Sequence, residues 1–246
     1  MSKTTKPAKI EAAFFDLDNT LLRGASSFLF AKAAFERRFV NRRELYRFAW
    51  QQFRFIWRGE SAKLLAHIED RAMSLVVGQS AKALEALVGI AWEDYVKAKM
   101  WPETVRIAQE HVAAGREVWI ITAAPVQMGE YIAKQLGLTG ALGTVLEVKD
   151  GLLTGEFEGR PLHGEGKAVA IEKMAKERNI SLRRSYAYSD SHNDLYMLTR
   201  VGHAVAVNPD KILSRYAKAA HWTILDFKKR EIRQAAKAKR KAEREQ

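Results

Sequence analysis

The chain has no cysteine among its 246 residues. No disulfide, thiolate metal site or cysteine nucleophile can form, which fits a reducing compartment and leaves catalysis to other groups. Long apolar runs are missing too. No window reaches the ~18 uninterrupted apolar residues that a spanning helix requires, and the charged residues 1–9 have no apolar stretch behind them. A cytoplasmic protein is expected. Proline is scarce, with five in all and none within 24–99, an interval that also lacks period-2 alternation. Acid is short relative to base: 41 Lys plus Arg against 29 Asp plus Glu leave a formal net charge of +12. That excess is local. Segment 228–246 holds nine basic and three acidic residues, Lys3, Lys6 and Lys9 add to it, and 35–58 carries seven Arg against Glu36 and Glu44. The remainder is close to neutral, so the basicity belongs to two tails and one helical patch rather than to the body. With 47% hydrophobic residues the body itself has ample material for a core.

Five short apolar runs read as buried strands: 10–15, 117–121, 186–188, 203–207 and 222–225. Between them fall helical stretches with stop signals, 102–114 before Gly115, 125–136 before Gly137 and 167–178 before Asn179. This alternation predicts an α/β fold with a Rossmann-like, doubly wound parallel sheet. About 100 residues separate the first strand from the second, far more than one crossover needs. The proline-free interval 24–99 is therefore expected to be an inserted helical cap on a core of 10–23 and 100–227. Segments 144–149 and 152–157 flank Asp150-Gly151, a two-residue hairpin signal read as a flap. The tail 228–246 has helix propensity but only Ile232 as a large apolar residue, which predicts a solvated extension.

Chemistry concentrates at the ends of the predicted strands. Asp16 and Asp18 follow the first strand, where open α/β sheets place their ligands. At that spacing one carboxylate can attack while the other handles a proton. Asp190 and Asp194 follow a later strand and add carboxylate oxygens. Acids gathered on one edge repel unless a hard cation sits among them, and oxygen-only ligation suits Mg²⁺. Thr122, after a strand and ahead of a helix, offers a hydroxyl beside helix N-terminal amides, and Lys167 after Gly164-Glu165-Gly166 offers a point charge.

These four elements in this order resemble the haloacid dehalogenase superfamily of aspartate-nucleophile phosphatases, most closely the subfamily that includes phosphoserine phosphatase. The resemblance runs from about Ala12 to Asp226 and is carried by Phe14-Phe15-Asp16-Leu17-Asp18-Asn19-Thr20-Leu21, with Val148-Lys149-Asp150-Gly151-Leu152-Leu153-Thr154-Gly155 resembling the flap region. It implies that Asp16 forms an aspartyl-phosphate and that Asp18 is general acid, then general base, with its backbone carbonyl facing the metal. It implies Mg²⁺ held at Asp16, Asp18, Asp190 and Asp194, and phosphoryl oxygens held by Thr122, Ala123, Lys167 and Asn193. The expected activity is hydrolysis of a small phosphate monoester, with no obligate protein partner.

The chain also departs from phosphoserine phosphatases. Ala25 stands where those enzymes carry a Glu nine residues after the nucleophile, and Thr122-Ala123-Ala124 replaces Ser-Gly-Gly. Both argue against phosphoserine as the leading substrate. A phosphotransferase or mutase would use the same intermediate. A non-catalytic anion- or nucleic-acid-binding protein is the other class, but binding alone would not require Asp18. In the cap, Phe28, Phe35, Phe39, Tyr46, Trp50, Phe53 and Trp57 project within about 60° at helical spacing, a stripe expected to be the cap's own core. Phe48 and Phe55 fall on the other side beside Arg, so cap and tail are the expected places for weak contact with an anionic membrane or RNA.

Overall fold

The computed structural model describes residues 9–37, 39 and 77–227. Strand β1 (Ala12–Asp16) leads to helix α1 (Ser26–Glu36), and the described chain resumes before α2 (Ala81–Ala91). A π-helical turn (Trp92–Val96) and a 3-10 turn (Lys97–Lys99) lead into α3 (Pro102–Ala113), with proline at its first turn. Then come β2 (Glu117–Pro125), α4 (Val126–Gln135), β3 (Gly140–Thr144), β4 (Leu146–Lys149) and β5 (Leu152–Phe157). The chain continues through α5 (Glu165–Glu177), β6 (Tyr186–Ser189), α6 (Leu195–Leu198), β7 (His203–Val207), α7 (Lys211–Ala219) and β8 (Thr223–Leu225).

Six strands form one parallel sheet in the order β3-β2-β1-β6-β7-β8, with β1 at its centre. Every residue of β1 is buried, as a strand covered on both faces must be. Phe15 and Ala13 pack with Ala108 of α3 and Met128 and Ile132 of α4, while Phe14 and Ala12 pack with Ile171 and Met174 of α5, Leu198 of α6 and Leu213 of α7. The sheet is thus doubly wound, as expected. Helices stop at Gly115 and Asn179, where φ is +75° and +56°.

Two sequence readings need correction. Residues 144–149 were expected as one strand of the hairpin, but Thr144 ends β3 in the main sheet and only Leu146–Lys149 pairs with β5. The run Gly140-Ala141-Leu142-Gly143-Thr144 has none of the β-branched density that marks a strand, because two of its positions have no room for a side chain. A Cβ on Gly140 would sit 2.8 Å from the Trp119 ring, and one on Gly143 would sit 2.7 Å from Val126 Cα. The Asp150-Gly151 turn is as expected, with both φ values positive at 52° and 78°. The second correction concerns the aromatic stripe. Phe28 and Phe35 are exposed on α1, whereas Phe39 of the stripe packs inward against Leu84 and Leu153 as expected, together with Phe30, which the stripe did not include. The rest of the stripe, Phe48, Phe55 and the tail 228–246 lie outside the described residues. Among the described residues no helix is long and apolar enough to cross a membrane.

Candidate active site

Parallel register sets the ends of the central strands level. Asp16 pairs with Ile121 of β2, and Phe15 with Tyr188 of β6, so Asp16, Thr122 and Ser189 share the carboxyl edge of the sheet. The strands feed different loops there, and Lys167 joins Asp16 at the end of β1 to Asp194 in the loop after β6.

Lys167 is the hub. It enters from the first turn of α5, reached through Gly164 at φ +54°, and its side chain is buried. Nζ donates to Asp16 Oδ1 at 2.6 Å and to Asp194 Oδ2 at 2.8 Å. Burial alone would lower the lysine, but the two carboxylates outweigh that and hold it above its ordinary range. Asp16 feels the opposite balance. Desolvation pushes its carboxyl up to about 8, Lys167 pulls it down, and Asp194 and Asp18 add to the rise. One buried ammonium therefore does not offset the loss of water around Asp16.

Asp18 is also raised by burial, against a hydrogen bond that favours its charged form: the Ser26 N–H donates to Asp18 Oδ1 at 2.8 Å. That bond ties the carboxylate to the first residue of α1. Ser26 carried no sequence signal for this role, since its contribution is a backbone amide.

Thr122 is buried and its hydroxyl accepts the Ala124 N–H at 3.1 Å, so it braces the end of β2, where the register with β3 shifts, rather than capping α4. The Ala123 carbonyl accepts from Thr144 Oγ1 at 2.7 Å, and that hydroxyl accepts the Leu162 N–H at 3.0 Å. The 122–124 backbone is thus pinned by β3, the strand whose glycines hid it in the sequence.

The third loop is built on β6. Ser189 Oγ donates to Asp194 Oδ2 at 2.7 Å and accepts the Ser191 N–H at 3.1 Å, while Ser191 Oγ accepts from the Asn193 N–H at 3.2 Å. Asp194 has no side-chain bond to the amides of α6, so helix capping does not explain it. The Asp190 carbonyl accepts the Asp210 N–H at 2.8 Å, and Asp210 in turn takes the backbone N–H and Nδ1 of His192, each at 2.8 Å. His192 is therefore occupied in holding the loop. Ser189 is a second residue that was not singled out, although its place directly before Asp190 at a strand end was readable.

The candidate donors for a cation are all oxygens. Among the described residues no group of three or more His, Asp or Glu side chains is gathered as a cage. Mg²⁺ binds through one or two carboxylates and takes water or substrate phosphate for the rest. Asp16 and Asp190 with the Asp18 carbonyl fit that demand, and a dication beside Asp16 would oppose the desolvation that raises it. Asp194 fits less well as a direct ligand because its Oδ2 already takes two donors.

Comparison with known proteins follows the same lines. Residues 13–199 match the family model described as haloacid dehalogenase-like hydrolase. Phosphoserine phosphatase SerB1 of Mycobacterium tuberculosis is 41% identical over 218 residues, spanning 88% of this chain and 71% of that protein. Histidinol-phosphatase of Neisseria meningitidis is 30% identical over 223 residues, spanning 88% and 98%. A solved structure of a Bordetella pertussis protein of unknown function superposes with a TM-score of 0.76 at 28% identity, covering 89% of this chain and 99% of that one.

Proposed function

The chain belongs to the haloacid dehalogenase-like hydrolases and is a phosphatase of that family, and from that premise we propose that it hydrolyses a small phosphate monoester with Mg²⁺ through an aspartyl-phosphate on Asp16. The observation that carries the proposal is the buried ammonium of Lys167 set 2.6 Å from the Asp16 carboxylate at the sheet edge. A structural ion pair needs no such placement at the mouth of three strand ends, whereas a nucleophile that must meet an anionic phosphoryl group does.

In this reading an Asp16 oxygen attacks phosphorus in line, and the bond from phosphorus to the substrate's alcohol oxygen breaks. Asp18 gives its proton to the departing oxygen. Burial raises Asp18, the direction a general acid requires. It then takes a proton from the water that attacks phosphorus, which releases inorganic phosphate and restores Asp16. Lys167, Thr122, the Ala123 amide and Asn193 hold the non-bridging oxygens. Asp190, Asp16 and the Asp18 carbonyl would hold Mg²⁺, whose charge screens the approach of carboxylate to phosphate. Asp194 is assigned to holding Lys167. Segment 24–99 is assigned as the cap that selects the alcohol over a core of 10–23 and 100–227, and the β4–β5 hairpin as the flap.

The relatives are named for phosphoserine and for histidinol phosphate, so a small monoester is common to them and the alcohol is not. Ala25 and Thr122-Ala123-Ala124 keep phosphoserine from the leading position. The test is hydrolysis of an aryl phosphate. Asp16→Asn should abolish turnover with the fold retained, EDTA should stop the wild type and added Mg²⁺ restore it. Turnover that survives either treatment would reject the mechanism. A panel of phosphorylated metabolites then identifies the alcohol.

A further inference from the structure

We infer that Ser189 is a positioning residue whose hydroxyl, acting through Asp194, fixes the direction in which Lys167 presents its charge to a phosphoryl group. The inference rests on the phosphatase reading above and extends it to a residue that touches neither substrate nor metal.

Hydrogen-bond direction makes the case. A serine hydroxyl has one proton to give and two lone pairs to accept with. At Ser189 one lone pair is taken by the Ser191 N–H at 3.1 Å, so the proton is free to go to Asp194 Oδ2, 2.7 Å away. Asp194 is buried, and the same Oδ2 receives Lys167 Nζ at 2.8 Å. Two donors on one oxygen set the plane and rotamer of the carboxylate. The ammonium on Lys167 has three donors, of which Asp194 and Asp16 fix two, so the direction of the third is fixed as well.

Ser189 is fully buried at the last position of β6, in register with Ala206 of β7 on one side. Its Oγ therefore cannot swing to solvent, and the chain of bonds from the Ser191 amide to Lys167 is anchored in the sheet. Without the hydroxyl, Asp194 would keep Lys167 as its partner but lose the restraint on its own rotamer. The carboxylate would then be free to turn, and the third donor of the ammonium would lose its fixed direction.

The expected effect of Ser189→Ala is a roughly tenfold fall in kcat for an aryl phosphate with KM changed less than about twofold, the size of one buried hydrogen bond of ~1.4 kcal/mol. Inorganic phosphate affinity, measured by calorimetry, should fall several-fold. The decisive measurement is a double-mutant cycle with Asp194→Asn. If Ser189 acts through Asp194, adding Ser189→Ala to Asp194→Asn costs little further, in kcat or in phosphate affinity. Ser189→Gly should reproduce Ser189→Ala in both readouts.

Wild-type kcat and phosphate affinity in Ser189→Ala would overturn the inference. So would full additivity in the cycle, or a fall in melting temperature with kcat per folded molecule unchanged. A wild-type protein that binds phosphate but turns over no aryl phosphate rejects the hydrolase reading alone, and the cycle is then read from phosphate affinity. A wild type that binds no phosphate overturns both.

Discussion

Gly143→Ala isolates what β3 does for the site. The added methyl would sit 2.7 Å from Val126 Cα and 2.9 Å from both Ala124 O and Val126 N, where ordinary contact begins at 3.4 Å. All three are backbone atoms, so no side chain can turn aside. Relief needs a shift of about 0.7 Å, the difference between the first distance and the contact limit. The segment that must move runs from Thr122 to Val126 and includes the Ala123 carbonyl pinned by Thr144. Overpacking of this kind costs about 1–3 kcal/mol, or a fall of about 2–12 °C in melting temperature for a chain this long. Misplacing a positioning group by ~1 Å can cost ~100-fold in rate, so about 0.7 Å should lower kcat/KM for an aryl phosphate by roughly 10- to 100-fold. Gly115→Ala is the control. Its Cβ would meet nothing within 4 Å, but φ is +75°, so it should lose about 1 kcal/mol of stability and keep its kinetics. Wild-type kcat/KM in Gly143→Ala, or an equal kinetic loss in Gly115→Ala, would refute the claim that β3 places the 122–124 backbone.

Two other perturbations test the electrostatics. His111 is buried beside Phe15, with Nε2 2.7 Å from the Tyr188 hydroxyl, and burial aided by Arg116 lowers it from 6.5 to about 4. Its folded value lies below the unfolded one, so the stability from its neutral form is present above 6.5 and is lost as pH falls toward 4. Screened on the Arg116 side, the linkage is about 1–2 kcal/mol. Urea unfolding should show wild type losing that much more than His111→Gln between pH 7 and 4.5, and parallel losses would remove His111 from the account. Lys167→Met should abolish turnover and leave Asp16 and Asp194 buried together without their cation. Denaturant melts should show a loss of about 3–5 kcal/mol at pH 9 and a smaller one at pH 5, where a carboxyl takes up a proton. Equal losses at both values would mean that the two acids do not share the ammonium's charge.

The residues of the candidate site were legible because they are marked by side-chain identity at strand ends. Asp16, Asp18 and Asp190 stand where apolar runs stop, and Lys167 where a glycine-rich turn starts a helix, so period and punctuation pointed to them. What supports those groups was not legible, and the reason is physical rather than statistical. Gly143 matters through space that it leaves empty for Val126, and the cause lies in another element. Ser26 acts through its amide, which every residue except proline also carries. Ser189 was visible at a strand end, but its bond to Asp194 depends on how the loop from Asp190 to Asn193 folds back, and Ser191 and Asp210 decide that fold. Thr122 shows both sides of the divide. Its place at a strand end before a helix marked it, but the sequence could not tell a helix cap from the brace of an irregular strand end that Thr144 holds from β3. A sequence states which groups a reaction can use. How firmly each is aimed is written in contacts between residues that no local pattern links, and for that reason Gly143 and Ser189 are sharper tests of the proposed chemistry than the aspartates themselves.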